Sequence, residues 1–191
     1  MRKFTQSLAL AALLLSTSAY AQNVAPAATV AAKTAPVPWL YEGSDVPVDD
    51  TWTFGVLPNG LRYAVKKNDV PAGQVSIRVR IDAGALHENN DEQGFAHLIE
   101  HLSFRGSTFV PDGEAKRIWQ RFGVTFGSDS NAQTTPTQTV YKLDLPNATP
   151  EKLDESVKII SGMIRNPRIS PNALNAERAI VEVAQRLSYG H

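Results

Sequence analysis

His97-Leu98-Ile99-Glu100-His101 places two of the chain's four histidines four residues apart. On a helix of about 3.6 residues per turn, both imidazoles leave the same face, one turn from each other. At that spacing two neutral rings bind one zinc ion, and a third ligand from elsewhere leaves a fourth position open for water. Glu100, three residues after His97, shares the face and reaches such a water. Zinc brings the pKa of the water down towards about 7, and a carboxylate beside it takes the proton as the water attacks a carbonyl. The order H-x-x-E-H is the reverse of the commoner H-E-x-x-H zinc motif. By itself the pentapeptide also fits a solvent-facing helix that carries the three side chains by chance.

The elements that must hold this motif can be read from the pattern. A helix is predicted over 92–104, and a second over 113–122. Residues 51–57 and 61–67 read as strands around Pro58-Asn59-Gly60, and Asn-Gly between two such runs is the strongest short hairpin signal. Gln74 to Asp82 alternates strictly, with Val75, Ile77, Val79 and Ile81 on one face, so it is a strand covered on one side only. Residues 124–130 and 137–145 are the remaining strand candidates, flanking a polar stretch over 131–136. Two amphipathic helices, 149–164 and 170–187, each begin with a small capping residue and a proline. Strands and helices are grouped rather than alternating, which gives an α+β fold around an antiparallel sheet.

Composition narrows the function classes. Nineteen basic against nineteen acidic residues argue against a polyanion-binding surface, and sparse aromatics with no basic stripe argue against nucleic-acid binding. The absence of cysteine excludes disulfides, thiolate metal sites and a cysteine nucleophile. At the N-terminus, Arg2 and Lys3 precede the apolar Leu8–Leu15 run and the small-x-small Ala19-Tyr20-Ala21. This is the pattern of a secretory signal over 1–21, cleaved after Ala21, rather than of a membrane anchor, which needs about 20 apolar residues. The reading is export to the periplasm or beyond, with no membrane attachment after cleavage. Residues 22–48 are rich in Ala and Pro and read as a flexible linker, and 49–191 as the folded domain.

Several stretches in the same order resemble the pitrilysin family of inverted-motif zinc peptidases, which includes insulin-degrading enzyme and the mitochondrial processing peptidase. They are Leu57–Arg62, Ala83-Gly84-Ala85 to Glu88, Gly94–Ser107, Ser130–Thr134, Thr139–Tyr141 and Asn175–Val181. The resemblance implies a pitrilysin-like metallopeptidase half-domain in which His97 and His101 are zinc ligands and Glu100 is the general base. It implies that Asn131 and Ala132 lie on the edge strand along which a peptide or unfolded segment is laid. An open edge offers unpaired backbone groups to which a peptide can add as a further strand. Without the resemblance, Asn131 reads as a plain turn residue.

One position departs from the pattern. The resemblance implies a third ligand, a glutamate, seven residues after the first Glu of a Glu-Arg run; here the run starts at Glu177-Arg178 and that position is Ala184. Three readings stay open. Glu177, about two turns away on the same helical face, approaches the metal instead, or supports a ligand without touching it. Glu182, on a different face, is the weaker alternative. Or the site is incomplete and binds zinc weakly, leaving a peptide-binding or partner subunit without catalysis. The resemblance also implies a second, related half, supplied by the same full-length chain or a partner subunit, so the domain over 49–191 is expected to be a truncated unit.

Overall fold

The computed structural model describes residue 39 and residues 41–189. The expected signal segment and most of the expected linker lie outside these residues.

Two compact units are present. In one, the hairpin tip Gly55–Tyr63 groups with the chain leading up to Asp50. The hairpin strands are β1 (Trp52–Val56) and β2 (Arg62–Lys66), which pair as a two-stranded ribbon. Their turn closes as the sequence predicts: Gly60 N–H donates to Leu57 C=O at 2.9 Å, and Gly60 takes φ +87°.

The second unit comprises Thr51–Phe54 and everything from Ala64 onward, and it carries the motif. Its sheet has the order β3 (Val75–Ile81), β5 (Thr139–Leu145), β4 (Ser130–Thr134), all antiparallel, with Val79 opposite Tyr141 and Ala132 opposite Tyr141 on the other side. Strand β5 buries Thr139, Tyr141, Leu143 and Leu145 on one face, and the alternate residues of β3 follow it. Against that face pack α2 (Glu114–Arg121), through Ile118 and Trp119, and α3 (Pro150–Arg165), through Ile159, Ile160 and Met163. Each fully buried Leu, Ile or Met contributes about 2 kcal/mol. The polar face of β5 is held by Asp144, which accepts from Arg78 and Ser76, both at 2.8 Å, and pairs with Lys142 at 3.0 Å. Burial pushes its carboxyl up, but the hydrogen bonds from Arg78, Lys142 and Ser76 outweigh that and hold it at about 2.

The remaining helices are α1 (Phe95–Ser103) and α4 (Pro171–Tyr189). Capping follows the sequence: Thr149 Oγ1 accepts from Lys152 N–H at 3.3 Å at the start of α3, and Ser170 Oγ from Ala173 N–H at 3.1 Å at the start of α4.

One expected strand is a turn. Residues 124–130 fold back on themselves, because Asp129 accepts from Thr125 N–H through its side chain at 2.8 Å and donates its own N–H to Thr125 C=O at 2.9 Å. Gly127 at φ +98° completes the reversal. The pairing strand begins only at Ser130 and runs through the stretch that reads as polar and irregular. Helix α1 also starts three residues later than its periodicity predicts, because Gly94 sits at φ +92° and ends the approach segment.

Candidate metal centre

Helix α1 presents the motif as its spacing requires. The His97 and His101 rings lie edge to face with centroids 4.8 Å apart, and their Nε2 atoms face each other at 3.2 Å. Two nitrogens each about 2.0–2.1 Å from one tetrahedral ion stand about 3.3 Å apart, so this spacing fits a shared zinc. Ligand atoms of His97, Glu100 and His101 all lie within 4.8 Å of one another, the sole group of three or more such residues among those described.

The tautomer of His101 is set from behind. Its Nδ1 lies 2.8 Å from Glu177 Oε2, and the other Glu177 oxygen accepts from Arg105 Nε at 2.7 Å. An ionised carboxylate only accepts, so Nδ1 carries the proton and Nε2 keeps its lone pair for a metal. Glu177 is only 8% exposed, and Ala173, Glu177 and Val181 form the buried stripe by which α4 meets the rest of the unit. Glu177 therefore stands outside the converging group and touches His101 on the ring nitrogen that points away from His97. Glu182 is exposed and lies 3.8 Å from Arg178.

Ala184 continues the same stripe. It lines a cavity of about 240 Å³ together with His97, Thr134, Gly94 and Gln185. Position 184 thus faces the motif with a methyl group.

Glu100 is 8% exposed and is held from the sheet, where Thr134 Oγ1 donates to its Oε2 at 2.5 Å. Thr134 closes β4. Thr135 N–H donates to Gln138 C=O at 2.8 Å across the β4–β5 turn. By the alternation of antiparallel pairs, Ala132 and Thr134 then carry their N–H and C=O groups on the side of β4 away from β5. Among the described strands β5 is the sole partner of β4, so that side is an open edge. Asn131 is exposed and folds over this edge, its Oδ1 accepting from Ala132 N–H at 2.9 Å and its Nδ2 donating to Gly127 C=O at 3.3 Å. Asn131 also lines a second cavity, of about 410 Å³, with Glu100, His101, Phe104, Phe126 and Lys116. The second cavity thus brings Asn131 beside Glu100 and His101, His97 joins them through the motif, and Ala132 follows Asn131 on the edge without lining the cavity.

Three supporting features escape the sequence reading. Glu88 caps α1 with both oxygens, accepting from Gly94 N–H and Ala96 N–H, each at 2.7 Å, which places negative charge at the helix's positive end. Tyr141 OH lies 3.0 Å from Ser103 Oγ, which gives its own proton to Ile99 C=O at 2.8 Å, so Tyr141 is the donor and ties α1 to β5. Burial raises the pKa of Tyr141, and the nearby Glu100 charge raises it further. Gly84 lets the chain entering α1 pass over the β4–β5 turn, since a Cβ there would collide with Thr135 C=O. Thr134 escapes it as well; its signal was its place on the inward period of β4 with Ala132, and that for Glu88 an acidic residue six positions ahead of the helix-starting Gly94.

Comparison with known proteins gives this geometry its context. The "Probable zinc protease PqqL" of Haemophilus influenzae is 36% identical over 143 residues, which are 75% of this chain and 15% of that protein. The first half of the periplasmic protease PqqL from Escherichia coli superposes with a TM-score of 0.70 at 31% identity, over 74% of this chain and 30% of that one. Pitrilysin superposes with a TM-score of 0.60 at 22% identity, over 73% of this chain and 14% of that one, which speaks for the fold alone. The relatives are named zinc proteases, and zinc is the cofactor that they and the His-x-x-Glu-His group indicate. Among the described residues no helix is long and apolar enough to cross a membrane. Residues 63–187 match the sequence profile of insulinase, peptidase family M16, and the chain belongs to that family.

Proposed function

We propose that this chain is the metal-motif unit of an exported zinc endopeptidase or oligopeptidase that hydrolyses peptides or unfolded segments. The observation that carries the reading is the facing pair of Nε2 atoms, 3.2 Å apart, with the Glu100 carboxylate beside them. Bound zinc supplies Lewis acidity that makes a water nucleophilic near neutral pH. His97 and His101 hold it through Nε2. Glu177 stands as the carboxylate that fixes the His101 tautomer rather than as a ligand. Glu100 takes a proton from the attacking water and passes it on to the leaving amine. The peptide adds along the open edge of β4, where Asn131 swings aside to free Ala132 N–H. A second family half, in the same full-length chain or a partner, closes over the peptide. The signal-like start and the periplasmic relative support export, with cleavage after Ala21.

Hydrolysis of an unstructured fluorogenic peptide should depend on zinc, stop on chelation and be absent from His97→Ala. Chelator-resistant hydrolysis would overturn the reading. Ala184 favours a second reading, in which the unit binds peptides without cleaving them. Peptide affinity without turnover at saturating zinc would select it.

A further inference from the structure

We infer that Thr134 is a positioning residue that couples peptide docking on β4 to the placement of the general base. The inference rests on the peptidase reading above and adds a residue to it. Thr134 does two things from one position. Its main-chain groups lie on the open edge of β4, and its side chain reaches the other way to Glu100.

Proton counting fixes the direction of its hydroxyl. Thr139 Oγ1 donates its one proton to Ala83 C=O at 3.0 Å. Thr134 Oγ1 lies 3.3 Å from Thr139 Oγ1 and 2.5 Å from Glu100 Oε2. With one proton to give, Thr134 gives it to the closer and charged acceptor. Thr139, 5% exposed and anchored to Ala83, backs the Thr134 side chain from the neighbouring strand. The carboxylate is thus left one oxygen committed to the sheet and one free to face the metal side. Displacement of β4 along its edge carries the Thr134 hydroxyl, and with it the Glu100 oxygen, because no backbone joint separates the two functions. A peptide seated in register on Ala132 and Thr134 therefore holds the base in its working position. A badly seated peptide does not.

Thr134→Val keeps the branched shape and removes the hydroxyl; Thr134→Ser keeps the hydroxyl. In the zinc-loaded chain, Thr134→Val should lower kcat about 10- to 100-fold, the range expected for one hydrogen bond to a charged group, with KM and zinc content within about twofold. Thr134→Ser should restore most of the rate, because the hydroxyl and not the methyl matters. A kcat unchanged in Thr134→Val, or a loss that Thr134→Ser does not repair, overturns the inference. Independently of hydrolysis, proton NMR of the chain should show a slowly exchanging Thr134 hydroxyl that vanishes in Thr134→Val. Its absence overturns the Thr134–Glu100 link even if peptides are cleaved. Full hydrolysis by Glu100→Gln with that proton present would instead refute the general-base role of Glu100 and, with it, the role given to Thr134, whereas chelator-resistant hydrolysis would refute the zinc peptidase reading itself.

Discussion

Replacing Glu177 by glutamine separates a ligand from the residue that orients one. The side chain keeps its volume and one carbonyl oxygen, but an NH2 group takes the place of the other. If that NH2 faces Arg105 Nε, now 2.7 Å away, two donors oppose each other and the ion pair is lost. If it faces His101 Nδ1 at 2.8 Å, it donates to the ring, and the ring proton moves to Nε2, the nitrogen turned towards His97. In either case one charge-assisted bond goes, worth about 1.5–3 kcal/mol. Arg105 is 35% exposed and recovers part of this from water, so the stability loss should fall near about 1–2 kcal/mol. Zinc affinity should fall about 10- to 100-fold, as when the partner of a ligating histidine is removed. The assay is zinc competition against a chromophoric chelator, with a thermal melt of the metal-free protein alongside. Affinity within twofold of wild type would refute the claim that Glu177 sets His101. A loss approaching a thousandfold would match one ligand's share of a zinc site, about 3–4 kcal/mol, and make Glu177 a ligand itself.

Three further outcomes follow from the same geometry. Ala184→Glu, placing a carboxylate in the cavity beside His97, should raise zinc affinity by roughly several hundredfold, one ligand's share of the binding energy; an unchanged titration would show that the position does not reach the metal. Asp144 has its pKa depressed to about 2 from 3.8, so its stabilisation is full above the upper value and lost as pH falls through the lower. Asp144→Asn should therefore cost on the order of 1 kcal/mol at neutral pH and flatten the acid limb of a pH–melting curve; an acid limb identical to wild type would refute this. Tyr141→Phe removes the bond to Ser103 while Ser103 keeps its partner at Ile99, and should lower stability by about 1 kcal/mol with zinc affinity unchanged; zinc lost along with stability would show that Tyr141 also places the ligands.

The motif was legible because helical spacing alone puts His97, Glu100 and His101 on one face, and no tertiary detail is needed for that. Strand β3 was legible for the same reason, since its alternation of apolar and polar residues matches its half-buried setting. What stayed hidden depends on contacts distant in sequence. Strand β4 carries the polar run Ser130-Asn131-Ala132-Gln133-Thr134, whose strand identity comes from pairing with β5 and from α1 rather than from propensity. The turn before it has enough apolar residues to read as a strand, yet the Asp129 side chain closes it locally. Thr134 was invisible as a site residue because its partner, Glu100, lies 34 positions away. The helical register of α4 was legible, with Glu177 and Ala184 on one face, but which His101 nitrogen Glu177 would meet was not.

The central claim is that Glu100 acts as a base and not as a ligand in a zinc site made by His97 and His101. Zinc content and peptide hydrolysis measured on the same samples of wild type and Glu100→Gln test it directly. The account predicts equal zinc in the two proteins and a loss of hydrolysis of about 10²- to 10⁴-fold in the variant, the usual worth of general-base catalysis. Hydrolysis retained by Glu100→Gln, or zinc lost together with activity, would contradict it.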